Sequence, residues 1–147
     1  MQWLVDLGAS IAIPVGHSPH WDLVADLEGN VLRVQVKTSA YWRNGRWEIA
    51  VCTKGGNQSW SGVVKRLDSA RYDYLFVHVA DGRRWFIPSS EVGGRNAIRL
   101  GGPKYAPFEI ECGPPLLEPG AGRVANAAST IADAVWGDAR VVKGTRL

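Results

Sequence analysis

The alternation of apolar and polar residues predicts a β-hairpin early in the chain. Trp21–Leu27 and Val31–Thr38 each place apolar side chains on one face and polar side chains on the other. A tight turn centred on Glu28–Gly29 would put Asp22 directly opposite Gln35, with their Cβ atoms about 4.5–5.5 Å apart. A β-bulge would shift this register by one residue. We therefore expect one face of the hairpin in the core and one polar face that is functional or wet.

The same patterning predicts an α/β (α+β) domain around this hairpin, with a mixed β-sheet flanked by helices. Met1–Leu7 is apolar and is followed by Gly8, as at the end of a helix. Apolar residues within Trp60–Leu67 have the spacing of a second, amphipathic helix. Further strands are predicted at Ile11–Pro14, Tyr41–Trp42, Trp47–Thr53, Tyr72–Val79 and Arg84–Ile87.

Composition divides the chain near Cys112. Residues 1–112 carry the predicted strands, whereas residues 113–147 begin with two segments rich in Pro and Gly. We predict one compact domain over residues 1–112, followed by a linker and a C-terminal helical extension over residues 113–147. The predicted helix has an apolar face formed by Val124, Ala128, Ile131 and Val135.

Length, cysteine content and charge limit the classes of protein to consider. A chain of 147 residues with two cysteines forms one ordinary domain without a disulfide framework or a zinc cluster. We find no signal peptide and no apolar run that could span a membrane, so we expect a cytoplasmic protein without a membrane partner. The 17 Lys and Arg residues outnumber the 14 Asp and Glu residues, which permits a polyanionic partner without requiring one.

Basic residues alternate with tyrosines and tryptophans between residues 41 and 105. Such mixtures suit phosphate contacts and base stacking. The alternative is a solvated basic face above tryptophans that belong to the core.

Asp22, Gln35 and Lys37 share the polar face of the hairpin and offer the groups that metal-assisted phosphodiester cleavage needs. Magnesium prefers hard oxygen ligands and keeps several waters. The Asp22 carboxylate, the Gln35 side-chain oxygen and the Val36 carbonyl would hold Mg²⁺, for which Mn²⁺ can substitute. Lys37 would orient or polarise the water. The alternative is an ordinary surface hairpin with polar residues.

Five further polar residues near this face are candidate DNA contacts. His17 and His20 lie in the loop before Asp22 and would touch phosphates there. Their HxxH spacing is also the spacing of a zinc pair, although the loop is rich in proline. The other three candidates are Arg33, Thr38 and Lys54.

Several ordered segments resemble the PD-(D/E)XK nuclease superfamily, and in particular its group I intron-encoded homing endonucleases. Archaeal-type Holliday junction resolvases are a more distant likeness, because they look like an acidic version of the same layout. The resemblance runs from residue 11 to about residue 92 through Ile13–Gly16, Trp21–Val24, Leu32–Thr38, Tyr72–Tyr74 and Phe86–Pro88.

This resemblance implies a restriction-endonuclease-like fold and a Mg²⁺-dependent endodeoxyribonuclease. Asp22 matches the family's metal-binding Asp, Lys37 its catalytic Lys, and Gln35 the position that most members fill with Asp or Glu. The Glu that relatives carry on their first helix would fall before Met1. The expected partner is double-stranded or branched DNA, cut by a homodimer or homotetramer. A Holliday junction resolvase and a catalytically impaired DNA-binding module stay open as alternatives.

Overall fold

The computed structural model describes residues 1–16, 20–54 and 64–110. These residues form two short α-helices, α1 (Gln2–Asp6) and α2 (Ser89–Val92), and a 3₁₀-helix over Pro103–Phe108. They also form eleven strands. The strands are β1 (Ser10–Ala12), β2 (Leu23–Leu27), β3 (Asn30–Ser39), β4 (Trp42–Arg43), β5 (Arg46–Ala50), β6 (Cys52–Lys54), β7 (Val64–Arg66), β8 (Tyr74–Val79), β9 (Arg84–Pro88), β10 (Ala97–Leu100) and β11 (Glu109–Ile110).

The largest sheet contains six strands in the order β1-β2-β3-β8-β9-β11. All neighbours are antiparallel except β3 and β8, which run parallel. A three-stranded sheet, β10-β5-β4, and a two-stranded sheet, β6-β7, complete the described part of the chain. A mixed sheet accompanied by few helices confirms the predicted α+β class.

The predicted hairpin forms in the predicted register. Leu23 pairs with Val34, and the ladder continues from there to the turn. Glu28 and Gly29 both have positive φ, 52° and 86°, as the two central residues of a type I′ turn do. The Gly29 N–H donates a 2.9 Å hydrogen bond to the Asp26 carboxylate. The turn therefore determines which residues of the two strands oppose each other.

Both faces of the six-stranded sheet are covered. On one face, Leu4 of α1 packs with apolar residues of β2, β3 and β9. On the other face, residues of β5 and β10 pack against β8 and β9. The polar face of the hairpin, expected to be functional or wet, is not wet throughout, because Gln35 keeps only 5% of its surface exposed. Asp22 and Asp26 on the same face are exposed.

The helix predicted over Trp60–Leu67 is wrong where the structure describes it. Val64–Arg66 form β7, which pairs antiparallel with Cys52–Lys54 in β6. A short apolar run fits the helical and the strand period almost equally well, and adjacent β-branched valines favour the strand. Residues 55–63 lie outside the described part of the chain.

Three further predictions concern the strand at Trp47–Thr53, the C-terminal region and membrane-spanning segments. The strand expected over Trp47–Thr53 divides at Val51 into β5 and β6, which belong to different sheets. The boundary near Cys112 and the helix within residues 113–147 lie outside the described residues and stay predictions. Among the residues described, no helix is long and apolar enough to span a membrane.

Candidate active site

The candidate site lies beside β3, at the point where β2 begins. The ladder between the two strands stops at Leu23 and Val34, and the Asp22 N–H donates to the Val34 carbonyl at 2.9 Å. The Asp22 carboxylate reaches along β3, where its Oδ2 accepts a 2.7 Å hydrogen bond from the Val36 N–H. Because β2 begins only at Leu23, the backbone of Val36 has no partner in β2, and the Asp22 side chain bonds to it instead.

Gln35 joins Asp22 and Val36 through its side-chain amide. Its Nε2 donates to Asp22 Oδ2 and to the Val36 carbonyl oxygen, the latter at 3.3 Å. Gln35 is the only buried polar residue among those whose side chains the structure describes. Because buried polar groups need hydrogen-bond partners, these contacts explain how the sheet tolerates the amide. Three of the predicted site residues are therefore in mutual contact.

Three polar groups at this site have no protein partner in the described part of the chain. Asp22 Oδ1 and Gln35 Oε1 accept no hydrogen bond there, and Lys37 Nζ makes neither a hydrogen bond nor an ion pair. Lys37 follows Gln35 by two residues in β3, so both side chains project from the same face of the sheet. The site therefore offers two oxygen atoms and one ammonium group to a ligand.

The donor set fits a divalent cation that prefers oxygen. The NH₂ group of Gln35, which is positively polarised, lies between Asp22 Oδ2 and the Val36 carbonyl oxygen. Both oxygens therefore point at one position that already attracts a positive group, as a cation site requires. Carboxylate, amide and carbonyl oxygens are ligands that suit Mg²⁺. Within the described ranges, no group of three or more His, Cys, Asp or Glu residues is placed to hold a metal. A cation here would depend on one full negative charge and neutral oxygens.

Arg33 forms a separate ion pair with Asp73. Its Nη2 lies 2.9 Å from Asp73 Oδ1 and its Nε lies 3.1 Å from Oδ2. The Arg33 backbone N–H also donates to Oδ2, at 2.7 Å. The side-chain hydrogen bond from Arg33 is the main cause that holds the pKa of the Asp73 carboxyl below its usual value. The guanidinium of Arg33 thus has a protein partner, for which a DNA phosphate would have to compete.

Sequence reasoning did not single out Asp73 as a partner of Arg33. The two residues are separated by 40 positions, and they meet because β3 and β8 run side by side. A single Asp between two tyrosines carries no local sign of such a contact. A correct prediction that β3 and β8 are parallel neighbours would have revealed the contact, because that pairing places the start of β8 beside the first half of β3.

The remaining candidate DNA contacts belong to several segments of the chain. Thr38 alternates to the opposite face of β3 from Lys37. Lys54 ends β6, which belongs to the two-stranded sheet. His20 precedes Asp22 by two residues, and its Nδ1 is buried without a hydrogen-bond partner in the described residues. The fifth candidate, His17, lies outside them.

A pocket of about 370 Å³ opens beside Asp22 and Val36. Its other walls are apolar and come from Met1, Trp3, Leu4, Ile13, Leu23, Val34 and Phe76. An apolar lining does not suit a phosphate, so we separate this pocket from the polar cluster around Gln35.

A mixed sheet with an Asp beside the start of one strand, and a Gln and a Lys on the neighbouring strand, is the arrangement that the resemblance to restriction-endonuclease-like nucleases implies. The family model described as PD-(D/E)XK endonuclease matches residues 1–104, and the chain belongs to that family. The resemblance seen in the sequence is thereby confirmed. Nucleases of this family generally use divalent metal ions.

One solved structure supports the same fold. It is described as a bacterial homing endonuclease, I-Ssp6803I, and it matches with a TM-score of 0.63 and 20% sequence identity. The match covers 74% of this chain and 79% of that chain. It confirms the predicted restriction-endonuclease-like fold. No curated protein matches the sequence.

Proposed function

We propose that this chain is a divalent-metal-dependent DNA endonuclease of the homing-endonuclease type. The observation that carries the proposal is the contact among Asp22, Gln35 and Val36 at the edge of β3, with Lys37 following on the same strand. A bound divalent ion would supply Lewis-acid polarisation of the scissile phosphate. Membership of the endonuclease family supports this chemistry.

Each residue of the site has its own proposed role. Asp22 supplies the full negative charge that attracts the cation, and the Val36 N–H fixes the position of its carboxylate. Gln35 and the Val36 carbonyl add neutral oxygens, which suit Mg²⁺ or Mn²⁺. Lys37 orients the attacking water or places positive charge where negative charge develops on the phosphate.

Cutting both strands of a duplex requires two such sites, because each site handles one phosphodiester bond. We therefore propose that the active form is a homodimer or homotetramer. Sedimentation velocity of the purified chain tests this part of the proposal directly. A monomer that cuts both strands in one binding event would contradict it.

Cleavage of duplex DNA in Mg²⁺ or Mn²⁺ tests the proposed chemistry. Asp22→Asn and Lys37→Ala are each expected to lower the cleavage rate by about a hundredfold or more, because each removes a charge at the reacting phosphate. Glu28→Gln removes an exposed acid from the turn of the same hairpin and serves as the matched control. Cleavage at the unmodified rate in both site variants would refute the assignment.

A Holliday junction resolvase is the alternative within the nucleases. It predicts faster cleavage of a four-way junction than of a linear duplex with the same arms. A homing-type enzyme predicts the reverse, with cleavage of linear DNA at a defined sequence. A side-by-side assay of the two substrates separates these functions.

A DNA-binding module with impaired catalysis is favoured by one observation, the single carboxylate at the site. Gln35 is neutral, so it contributes less attraction for a cation than the acid common at this position. This function predicts salt-sensitive DNA binding that a chelator does not change. It also predicts no cleavage with any divalent ion.

A further inference from the structure

The hairpin formed by β4 and β5 carries an exposed patch that the candidate active site does not explain. We call it the aromatic–basic hairpin, and its exposed members are Tyr41, Trp42, Arg43 and Arg46. Tyr41 and Trp42 keep 56% and 50% of their surface exposed, whereas aromatic side chains are usually well buried. Residues 41–47 contain no acid. The patch is therefore both apolar and positively charged.

The aromatic–basic hairpin is held in one conformation. Asn44 and Gly45 have φ values of 51° and 74°, which are the values of a type I′ turn. Trp42 packs edge-on against the buried Trp47, with a ring-centroid distance of 4.9 Å. A surface that is already ordered loses little conformational entropy when it binds a partner.

Two arginines oppose each other across this hairpin. Arg43 pairs directly with Arg46, and like charges in that position are destabilising. Neither guanidinium forms an ion pair within the described residues. By contrast, Arg99 in the same sheet lies 3.5 Å from Glu48. An external anion would supply the counter-charge that both guanidinium groups lack within the described residues.

The hairpin lies within reach of DNA bound at the candidate active site. Arg43 lies six positions after Lys37, so their Cα atoms are at most about 22 Å apart. Duplex DNA rises about 3.4 Å per base pair. A duplex whose phosphate meets Lys37 and that runs toward β4 would therefore reach the hairpin within about six or seven base pairs.

We propose that the aromatic–basic hairpin binds the DNA duplex beside the cleavage site. Arg43 and Arg46 contact backbone phosphates, and the exposed ring of Trp42 or Tyr41 packs on a deoxyribose of the backbone. This inference rests on the proposed nuclease function. Charge favours DNA over a second copy of the chain, because a two-fold symmetric contact through this patch would bring four arginines together.

DNA-binding measurements on the full chain test the phosphate contacts. Fluorescence anisotropy with a labelled mixed-sequence duplex is recorded in EDTA over a series of salt concentrations. The double variant Arg43→Ala/Arg46→Ala is expected to bind about tenfold more weakly and to lower the slope of log K against log salt by about two. The double variant Arg71→Ala/Arg95→Ala removes the same charge from exposed positions outside the hairpin and should keep the slope.

Substitution of Trp42 tests the aromatic contact separately. Trp42→Ala is expected to weaken DNA binding by about tenfold with an unchanged salt slope, because an apolar contact with a sugar releases no counterions. Trp42→Phe keeps an aromatic ring and should retain most of the affinity. Thermal unfolding of each variant establishes that the fold is intact.

The outcomes separate this proposal from the nuclease function. If the arginine double variant binds and cleaves DNA like the unmodified chain, the hairpin contact is overturned and the nuclease function stands. If the unmodified chain never cleaves but its binding depends on the hairpin, the nuclease function is overturned and the contact stands. If Trp42→Ala changes the oligomeric state and not DNA binding, the patch joins copies of the chain and the proposal is wrong.

Discussion

Two polar clusters lie side by side on β3, and they differ in whether their polar groups all have protein partners in the described residues. Around Arg33, the guanidinium and the backbone N–H both bond to the Asp73 carboxylate. Around Gln35, an oxygen of Asp22, the amide oxygen and the Lys37 ammonium have no partner in the described residues. We call the cluster of Arg33 and Asp73 the closed cluster, and the cluster of Asp22, Gln35 and Lys37 the open cluster. The closed cluster stabilises the fold, whereas the open cluster keeps polar groups to which a ligand can bind.

Strand pairing explains this difference. At Arg33, β3 has Val24 of β2 on one side, and on the other side the Asp73 N–H donates to the Arg33 carbonyl at 2.8 Å. Beyond Val34, the pairing with β2 has ended. The backbone of Val36 is therefore accessible to a side chain such as Asp22, and the same accessibility would serve a cation. The open cluster is a consequence of where β2 begins.

The largest expected effect comes from placing a second negative charge in the open cluster. Gln35→Glu replaces a buried donor to Asp22 with a second carboxylate. In EDTA, we expect the free energy of unfolding to fall by about 3–5 kcal/mol, because a buried charge without a partner is strongly destabilising. Millimolar Mn²⁺ should restore much of this loss, since a cation that binds only the folded state stabilises it. Urea unfolding with EDTA or Mn²⁺ measures both effects.

A matched control makes the same chemical change on the surface. Asn30→Asp converts an exposed amide to a carboxylate at the start of β3, and it should change the free energy of unfolding by less than about 0.5 kcal/mol. It should also show no response to Mn²⁺. If Gln35→Glu is equally stable in EDTA and in Mn²⁺, the open cluster does not hold a cation.

The open cluster could be predicted from the sequence and the closed one could not. Asp22 and Gln35 belong to one hairpin, whose turn at Glu28 and Gly29 determines the register locally. The contact between Arg33 and Asp73 depends on the parallel pairing of β3 with β8, which no local turn determines. Contacts distant in the sequence leave no period in the pattern of residues.

The same distinction explains the errors in the predicted fold. Gln35 is buried although it alternates with apolar residues in β3, and the hairpin pattern gave no sign of that burial. The strand at Val64–Arg66 forms through pairing with β6, and its apolar spacing alone favoured a helix. The local turn and the alternation were sufficient to predict the β2–β3 hairpin. The burial of Gln35 and the pairing of β6 with β7 depend on residues that are distant in the sequence.

A smaller effect is expected from opening the closed cluster. Asp73→Ala leaves the Arg33 backbone N–H without its acceptor, which should lower the free energy of unfolding by about 1–2 kcal/mol. The ion pair itself adds little, because the two side chains keep 40% and 33% of their surface exposed. Cleavage by the folded variant should stay within a few-fold of the unmodified rate. Urea unfolding and a cleavage assay on the same preparation provide the two measurements.

Lys37→Ala is the counterpart of this variant in the open cluster. It removes a group without a protein partner in the described residues, so unfolding should change by less than about 0.5 kcal/mol while cleavage is lost. Asp73→Ala is thus expected to lower stability and to spare cleavage. Lys37→Ala is expected to spare stability and to lower cleavage. If Asp73→Ala abolishes cleavage without loss of stability, the division into a closed and an open cluster is wrong.

The smallest expected effect is on the pH dependence of stability. The pKa of the Asp73 carboxyl is lowered, chiefly by the side-chain hydrogen bond from Arg33. An acid whose pKa is lower in the folded state contributes stability above its unfolded pKa, about 3.9, and loses it as the pH falls through the folded pKa. Asp73→Asn, which does not titrate, should therefore differ most from the unmodified chain near neutral pH. The difference should shrink below about pH 4, as measured by urea unfolding at each pH. A difference that stays constant into acid would mean that the Asp73 charge does not stabilise the closed cluster.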